Sequence, residues 1–175
     1  MDWVHRPEHR FVPDTTYMLT AATLHHTPYF QEDCRLSLLR NLLLDQASIR
    51  GWEIHAWVVL PNHYHLVATS PAGPCRLREW ISAVHAISAR EINRMDRTPG
   101  RRIWFQFWDT CIRTEAGWFA RLHYVMDNPV KHGLVKLPDE WAHGSAVRFL
   151  CEATPGEVKR VFSYGCDRVG VPDAF

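Results

Sequence analysis

Ile54-His55-Ala56-Trp57-Val58-Val59-Leu60, then Pro61-Asn62, then His63-Tyr64-His65-Leu66-Val67-Ala68-Thr69, is the stretch on which the fold turns. Two runs rich in β-branched and aromatic residues, separated by a Pro-Asn pair, read as two strands joined by a tight turn. Side chains alternate across a strand, so His63 and His65 share one face while Tyr64 and Leu66 take the other. Two imidazoles on one face of a rigid strand are close enough to hold one metal ion. A lone histidine on a half-buried strand is more often a packing residue, and the chain carries 11 histidines, so the pair needs support from elsewhere.

Working outward, Thr15 to Thr23 has the composition of an earlier strand. From Asp33 to Ile49, Leu36, Leu39, Leu43 and Ala47 recur at helical spacing, and Gly51 stops the run. Pro71-Ala72-Gly73-Pro74 breaks the chain after the histidine strand. Leu77, Ile81, Val84, Ser88, Ile92 and Met95 then mark a second amphipathic helix that ends before Pro99-Gly100. A fourth strand begins at Ile103-Trp104-Phe105-Gln106-Phe107-Trp108 and continues to Arg113. Glu115 to Asp127 has helical composition and is expected to stop at Asn128-Pro129, because a residue before proline is pushed out of the helical region. The order β-α-β-β-α-β, with helices connecting parallel neighbours, predicts an α+β, ferredoxin-like sheet under helices. To it are added a C-terminal helix and an irregular Pro- and Gly-rich tail with apolar pieces at Ala146 to Leu150 and Val158 to Phe162. One domain over residues 1–175 is expected, with a core from about 15 to 145 and a tail over 146–175.

Composition narrows the class. The chain has 175 residues, 46% of them hydrophobic, and a formal net charge of +1, so any surface for a polyanion has to be a local patch. Cys34, Cys75, Cys111, Cys151 and Cys166 are scattered and odd in number, which argues against a disulfide framework or a cysteine zinc site. Neither a leader segment nor a membrane span is expected, which suits a cytoplasmic protein. Eight tryptophans, Trp3, Trp52, Trp57, Trp80, Trp104, Trp108, Trp118 and Trp141, are more than packing ordinarily demands. Most should be core, while a minority could stack on the bases of a single strand.

Support for the histidine pair comes sixty residues on. In Ala120-Arg121-Leu122-His123-Tyr124-Val125-Met126-Asp127-Asn128-Pro129, a phenol is followed four positions later by an amide, and on a helix those two side chains project together. Alone, Tyr124 reads as a core aromatic and Asn128-Pro129 as a helix stop. Together with Pro61-Asn62-His63-Tyr64-His65-Leu66-Val67, Trp104-Phe105-Gln106-Phe107-Trp108-Asp109 and Asn128-Pro129-Val130-Lys131-His132-Gly133-Leu134-Val135, they form a recognisable set. From about Tyr17 to Ser145 the chain resembles the single-tyrosine HUH transposases of the insertion-sequence-200 type, and among them the transposases associated with repetitive extragenic palindromes (REPs). The middle residue of the His-hydrophobe-His motif is Tyr64, which carries a hydroxyl. Many relatives have glutamine where Asn128 stands.

The resemblance implies a metal-dependent single-strand DNA endonuclease and strand transferase. Tyr124 would be the nucleophile that forms a 5′-phosphotyrosine and frees a 3′-hydroxyl. His63 and His65, with Asn128 or the adjacent Asp127, would hold Mg²⁺ or Mn²⁺, zinc being the competitor on ligand grounds. The partner would be single-stranded or hairpin DNA with an unpaired foot, bound by a monomer or a homodimer. Arg76, Arg78, Arg90, Arg94, Arg97, Arg101, Arg102 and Arg113 are candidate phosphate contacts around the second helix and the approach to the fourth strand, and a solvated helix face is the plain alternative. Two rival functions remain. One is a zinc hydrolase whose third ligand is His123 or His132. The other is a domesticated hairpin-binding protein that does not cut.

Overall fold

The computed structural model describes residues 12–73, 77–167 and 169–170, so Trp3, Cys75 and Arg76 lie outside the described residues. Its elements are β1 (Thr16–Thr23), α1 (Asp33–Ile49), β2 (Glu53–Val59), β3 (His63–Thr69), α2 (Leu77–Met95), β4 (Trp104–Cys111), α3 (Glu115–Lys131), α4 (Ala146–Glu152) and α5 (Pro155–Ser163). The four strands form one sheet in the order β2-β3-β1-β4, and every neighbouring pair is antiparallel. This is the ferredoxin-like arrangement, with one correction: the helices do not connect parallel neighbours. The Pro61-Asn62 turn folds β3 back beside β2, and β1 takes the other edge of β3. Each pair of strands joined by a helix is therefore parallel but separated by one strand.

Strand alternation divides the core into two layers. Tyr17, Leu19 and Ala21 of β1 and Tyr64, Leu66 and Ala68 of β3 meet the buried stripes of α1 and α2. Met18 of β1, Val67 of β3 and Ala56 and Val58 of β2 face Leu122, Val125 and Met126 of α3 on the opposite side. The central strands β1 and β3 are thus buried on both faces, and that is why their sequences read as continuous apolar runs.

Two differences from the sequence reading concern helices. The helix α3 does not stop at Asn128-Pro129 but runs to Lys131 with Pro129 inside it. Proline forfeits a single hydrogen bond there, to Val125, and the end is then closed firmly. Gly133, at φ +67°, sends its N–H to Val130 O at 2.9 Å, and Leu134 N–H reaches Pro129 O at 2.9 Å. This left-handed closure satisfies carbonyls that the helix end would otherwise expose. The second difference lies in the tail. Part of what the sequence suggested was irregular forms α4 and α5. Thr154 caps α5 by accepting from Glu157 N–H, the Glu157 carboxylate accepts from Thr154 N–H in return, and Pro155 opens the helix. That helix packs on α3 through buried Val161, with Tyr164 just beyond it stacked on Phe119 at 5.0 Å.

Candidate active site

His63 and His65 emerge on the α3 side of β3, opposite Ala22 and Thr20 of β1. Both are buried, at 1% and 0% exposure, and their ring centroids are 5.0 Å apart. Each ring is held by a neighbour at Nδ1. Asn62 Oδ1 lies 2.7 Å from His63 Nδ1, and the Asn62 amide nitrogen donates to His26 O at 3.2 Å. The second bond orients the amide with its oxygen toward the ring, so His63 Nδ1 is the donor and Nε2 carries the lone pair. Thr20 Oγ1 stands 2.8 Å from His65 Nδ1 in the same way. Partners at Nδ1 that fix ring orientation are the usual companions of metal-binding histidines.

Tyr64 points to the other face, as alternation requires. Its hydroxyl is 3.0 Å from His85 Nε2, and burial pushes its pKa up from the ordinary phenol value. Burial also holds His85 down at about 3, so that ring is neutral. His85 stacks flat on Trp104 at 4.2 Å, and Trp104 Nε1 donates to Ser88 Oγ at 3.0 Å. The hydroxyl at the hydrophobe position is thereby satisfied behind the sheet, away from the histidine pair.

Along α3 and onto His132, which caps its C-terminal end, Tyr124, Asn128 and His132 fall at successive four-residue intervals and make one stripe. The Tyr124 ring meets His65 edge-on at 5.3 Å, and the His132 ring meets His63 at 4.9 Å. Asn128, between them on the stripe, is at 0% exposure. The stripe thus lies along the histidine pair. Asp127 does not share it: with Tyr124, Val130 and Lys131 it lines a cleft of about 480 Å³ whose other wall includes Cys166 and Asp167. Burial raises the Asp127 carboxyl above its usual pKa, with the charge of His123 opposing. Lys131 Nζ stands 3.5 Å from Tyr124 Oη and 4.7 Å above the ring centroid. His123 is turned elsewhere, its Nδ1 2.7 Å from Tyr164 O and its ring on Phe162 at 4.9 Å.

The donors present fit a divalent ion. Two imidazoles with engaged Nδ1 atoms and a buried amide oxygen make a mixed nitrogen and oxygen set that suits Mn²⁺ and accommodates Mg²⁺. Among the described residues no three of His, Cys, Asp and Glu gather as a metal-holding group, and the Asn128 amide oxygen is a donor of another type.

The arginines divide. Arg90, Arg94 and Arg97 line an open hollow of about 450 Å³ at the end of α2. Nearby, Arg101 pairs with Asp96 and lies 4.5 Å over Tyr29, while Arg102 donates to Trp104 O at 3.0 Å and Phe105 O at 2.9 Å. Arg78 starts α2 and is exposed, and Arg113, also exposed, follows β4, so both stand at the other end of the sheet. The structure does not bring all of them together: Arg78, Arg90, Arg94 and Arg97 belong to α2 and its end, whereas Arg113 leads into α3. Asn62, Thr20 and Lys131 are the neighbours that sequence reading did not assign. Asn62 adjoins His63 and Lys131 lies seven residues beyond Tyr124, so both could be found from spacing, whereas Thr20 needs the strand pairing.

The chain is 34% identical over 109 residues to the REP-associated tyrosine transposase of Escherichia coli (strain K12), a match covering 59% of this chain and 60% of that relative. It thus spans 60% of the length of the relative it matches. The fold is similar to a solved REP-associated tyrosine transposase bound to a REP hairpin, with a TM-score of 0.70 and 23% identity over 85% of this chain and 87% of that one. At that identity the likeness concerns the fold alone. No family model matches the chain. The resemblance read from the histidine pair and the tyrosine helix is borne out in sequence by the first relative and in fold by the second.

Proposed function

We propose that this chain cuts and rejoins single-stranded DNA beside REP-type hairpins, as a metal-dependent transposase that passes through a 5′-phosphotyrosine on Tyr124. One observation carries the reading: the Tyr124, Asn128 and His132 stripe lies on His65 and His63. Tyr124 Oη attacks the phosphorus, the bond from phosphorus to the 3′-oxygen breaks, and the phenolic proton passes through solvent to the leaving 3′-oxygen, which becomes the free hydroxyl. The Lys131 ammonium, 3.5 Å from Oη, stabilises negative charge developing on that oxygen. His63, His65 and Asn128 would hold Mg²⁺ or Mn²⁺, which when bound supplies positive charge to the phosphate oxygens. Exchange of one phosphodiester for another needs no nucleotide energy. Tyr124 meets His65 of its own chain, which supports a site completed within one protomer and a monomer as the working unit.

The test is incubation of the full chain with a single-stranded REP-type hairpin and Mn²⁺. A denaturant-resistant protein-DNA adduct and an extendable 3′-end are expected, and Tyr124→Phe should lose both while still binding the hairpin. Binding without an adduct in the unaltered chain would replace cutting with the domesticated hairpin-binding role. The zinc-hydrolase reading retains one observation in its favour, the His132 ring against His63. It requires turnover to persist in Tyr124→Phe.

A further inference from the structure

Tryptophan usage leaves one ring unexplained. Trp52, Trp80 and Trp104 belong to the apolar layer under α1 and α2, and Trp57 and Trp141 pack against it. Trp118 packs against the α3 layer. Among the described residues, Trp108 is the tryptophan in neither, and Phe105 is likewise in neither. Both are half-buried and they touch each other, with ring centroids 6.2 Å apart. Large aromatics uncommitted to a core cost solubility unless something covers them.

Strand register says where they are. Trp108 pairs with Thr20, and Thr20 pairs with His65, so the three form one row across β4, β1 and β3. Directly opposed residues share a face, and the bond between Thr20 Oγ1 and His65 Nδ1 shows which face it is. Gln106 lies in the next row, opposite Ala22, which pairs with His63. Adjacent strands are about 4.8 Å apart, so Trp108 stands about 10 Å from His65 on the same surface. On the other side of the histidines is α3, which packs chiefly on β2 and β3. The β4 edge is therefore the way a strand can leave the histidine pair across this face.

We propose that Trp108, with Phe105 beside it, is a stacking platform for an unpaired base of the DNA strand whose phosphate lies at His63 and His65. Gln106 offers its amide to the base edge. The proposal rests on the function proposed above and adds the subsite that takes the strand's foot. An aromatic face accepts any base, so the platform contributes affinity for unpaired nucleotides with little sequence preference.

The test measures binding of the full chain to two fluorescein-labelled REP-type hairpins, one with an unpaired foot and one blunt, in Mn²⁺. Trp108→Ala should weaken binding of the footed hairpin by about 5- to 150-fold, Trp108→Phe by less than about threefold, and blunt-hairpin binding should not change. Abasic nucleotides placed one at a time in the foot should cost the unaltered chain a similar factor at one position and cost Trp108→Ala nothing further there. Equal loss on both hairpins, or no loss on the footed one, would overturn the platform. Adduct formation by the unaltered chain is scored in the same tubes. An adduct with no effect of Trp108→Ala removes the platform and keeps the transposase reading, whereas foot-dependent loss without an adduct does the reverse. Absence of binding to either hairpin overturns both.

Discussion

At the scale of single residues, the three rings of His63-Tyr64-His65 are each oriented by a neighbour, on two different faces of the strand. Tyr64 is tied to His85 at 3.0 Å, and His85 is neutral because burial holds its pKa at about 3. In the unfolded chain a histidine titrates near 6.5, so below that pH the unfolded state takes up a proton that the native state refuses. His85 therefore favours the fold fully above pH 6.5, and that contribution is lost as pH falls toward 3, by up to about 1.4 kcal/mol per pH unit. Urea melts at pH 7.5 and 5.0 should show this slope, and His85→Gln should flatten it while lowering stability at pH 7.5. An unchanged slope in that variant would remove His85 as its source. The two faces were legible from period-two alternation alone. The partners were not, because Thr20 and His85 reach the triplet through strand pairing and helix packing, which no local spacing records.

At the scale of elements, α3 carries Tyr124 and Asn128 of the candidate site, and its end decides how far the stripe extends. Reading the Asn128-Pro129 pair as a stop followed from the local preference of pre-proline residues, and tertiary packing overrode it: Asn128 is wholly buried beside β3, and Gly133 closes the helix beyond the proline. A Cβ on Gly133 would meet no atom within 4 Å, yet φ is +67°, so any cost of Gly133→Ala is backbone strain rather than collision. That strain should cost about 1 kcal/mol of stability or somewhat more. It should also loosen Lys131 and His132 and reduce adduct yield more than it reduces hairpin binding. Equilibrium melts and single-turnover adduct assays check the two parts. An unaltered melt would show that the left-handed closure contributes nothing, and equal losses in binding and adduct would separate the closure from the chemistry.

At the scale of the whole molecule, the order and nature of the core elements were legible, because α1 and α2 announce themselves by helical periodicity and β1 and β3 by runs of β-branched and aromatic residues. Which layer each arginine would join was not, since periodicity gives the faces of a helix and not the side of the sheet it covers. The same separation into layers gives the histidine pair and Asn128 a consequence for stability. His63 and His65 belong to β3 and Asn128 to α3, so an ion held by all three would tie the sheet to the helix that covers it. A ligand bound only by the native state stabilises it by about 2.7 kcal/mol at 100 times its dissociation constant. For a chain of this size, that corresponds to a rise in Tm of about 5–10 °C. Melts in saturating Mn²⁺ and in chelator should differ by that amount, with His63→Ala and Asn128→Ala each losing most of the shift and Asp127→Asn retaining it. The reverse pattern, with Asp127→Asn losing the shift and Asn128→Ala keeping it, would transfer the third ligand to the carboxylate that lines the neighbouring cleft. A shift that survived in His63→Ala would place the ion elsewhere on the molecule and detach the metal from the tyrosine it is argued to serve.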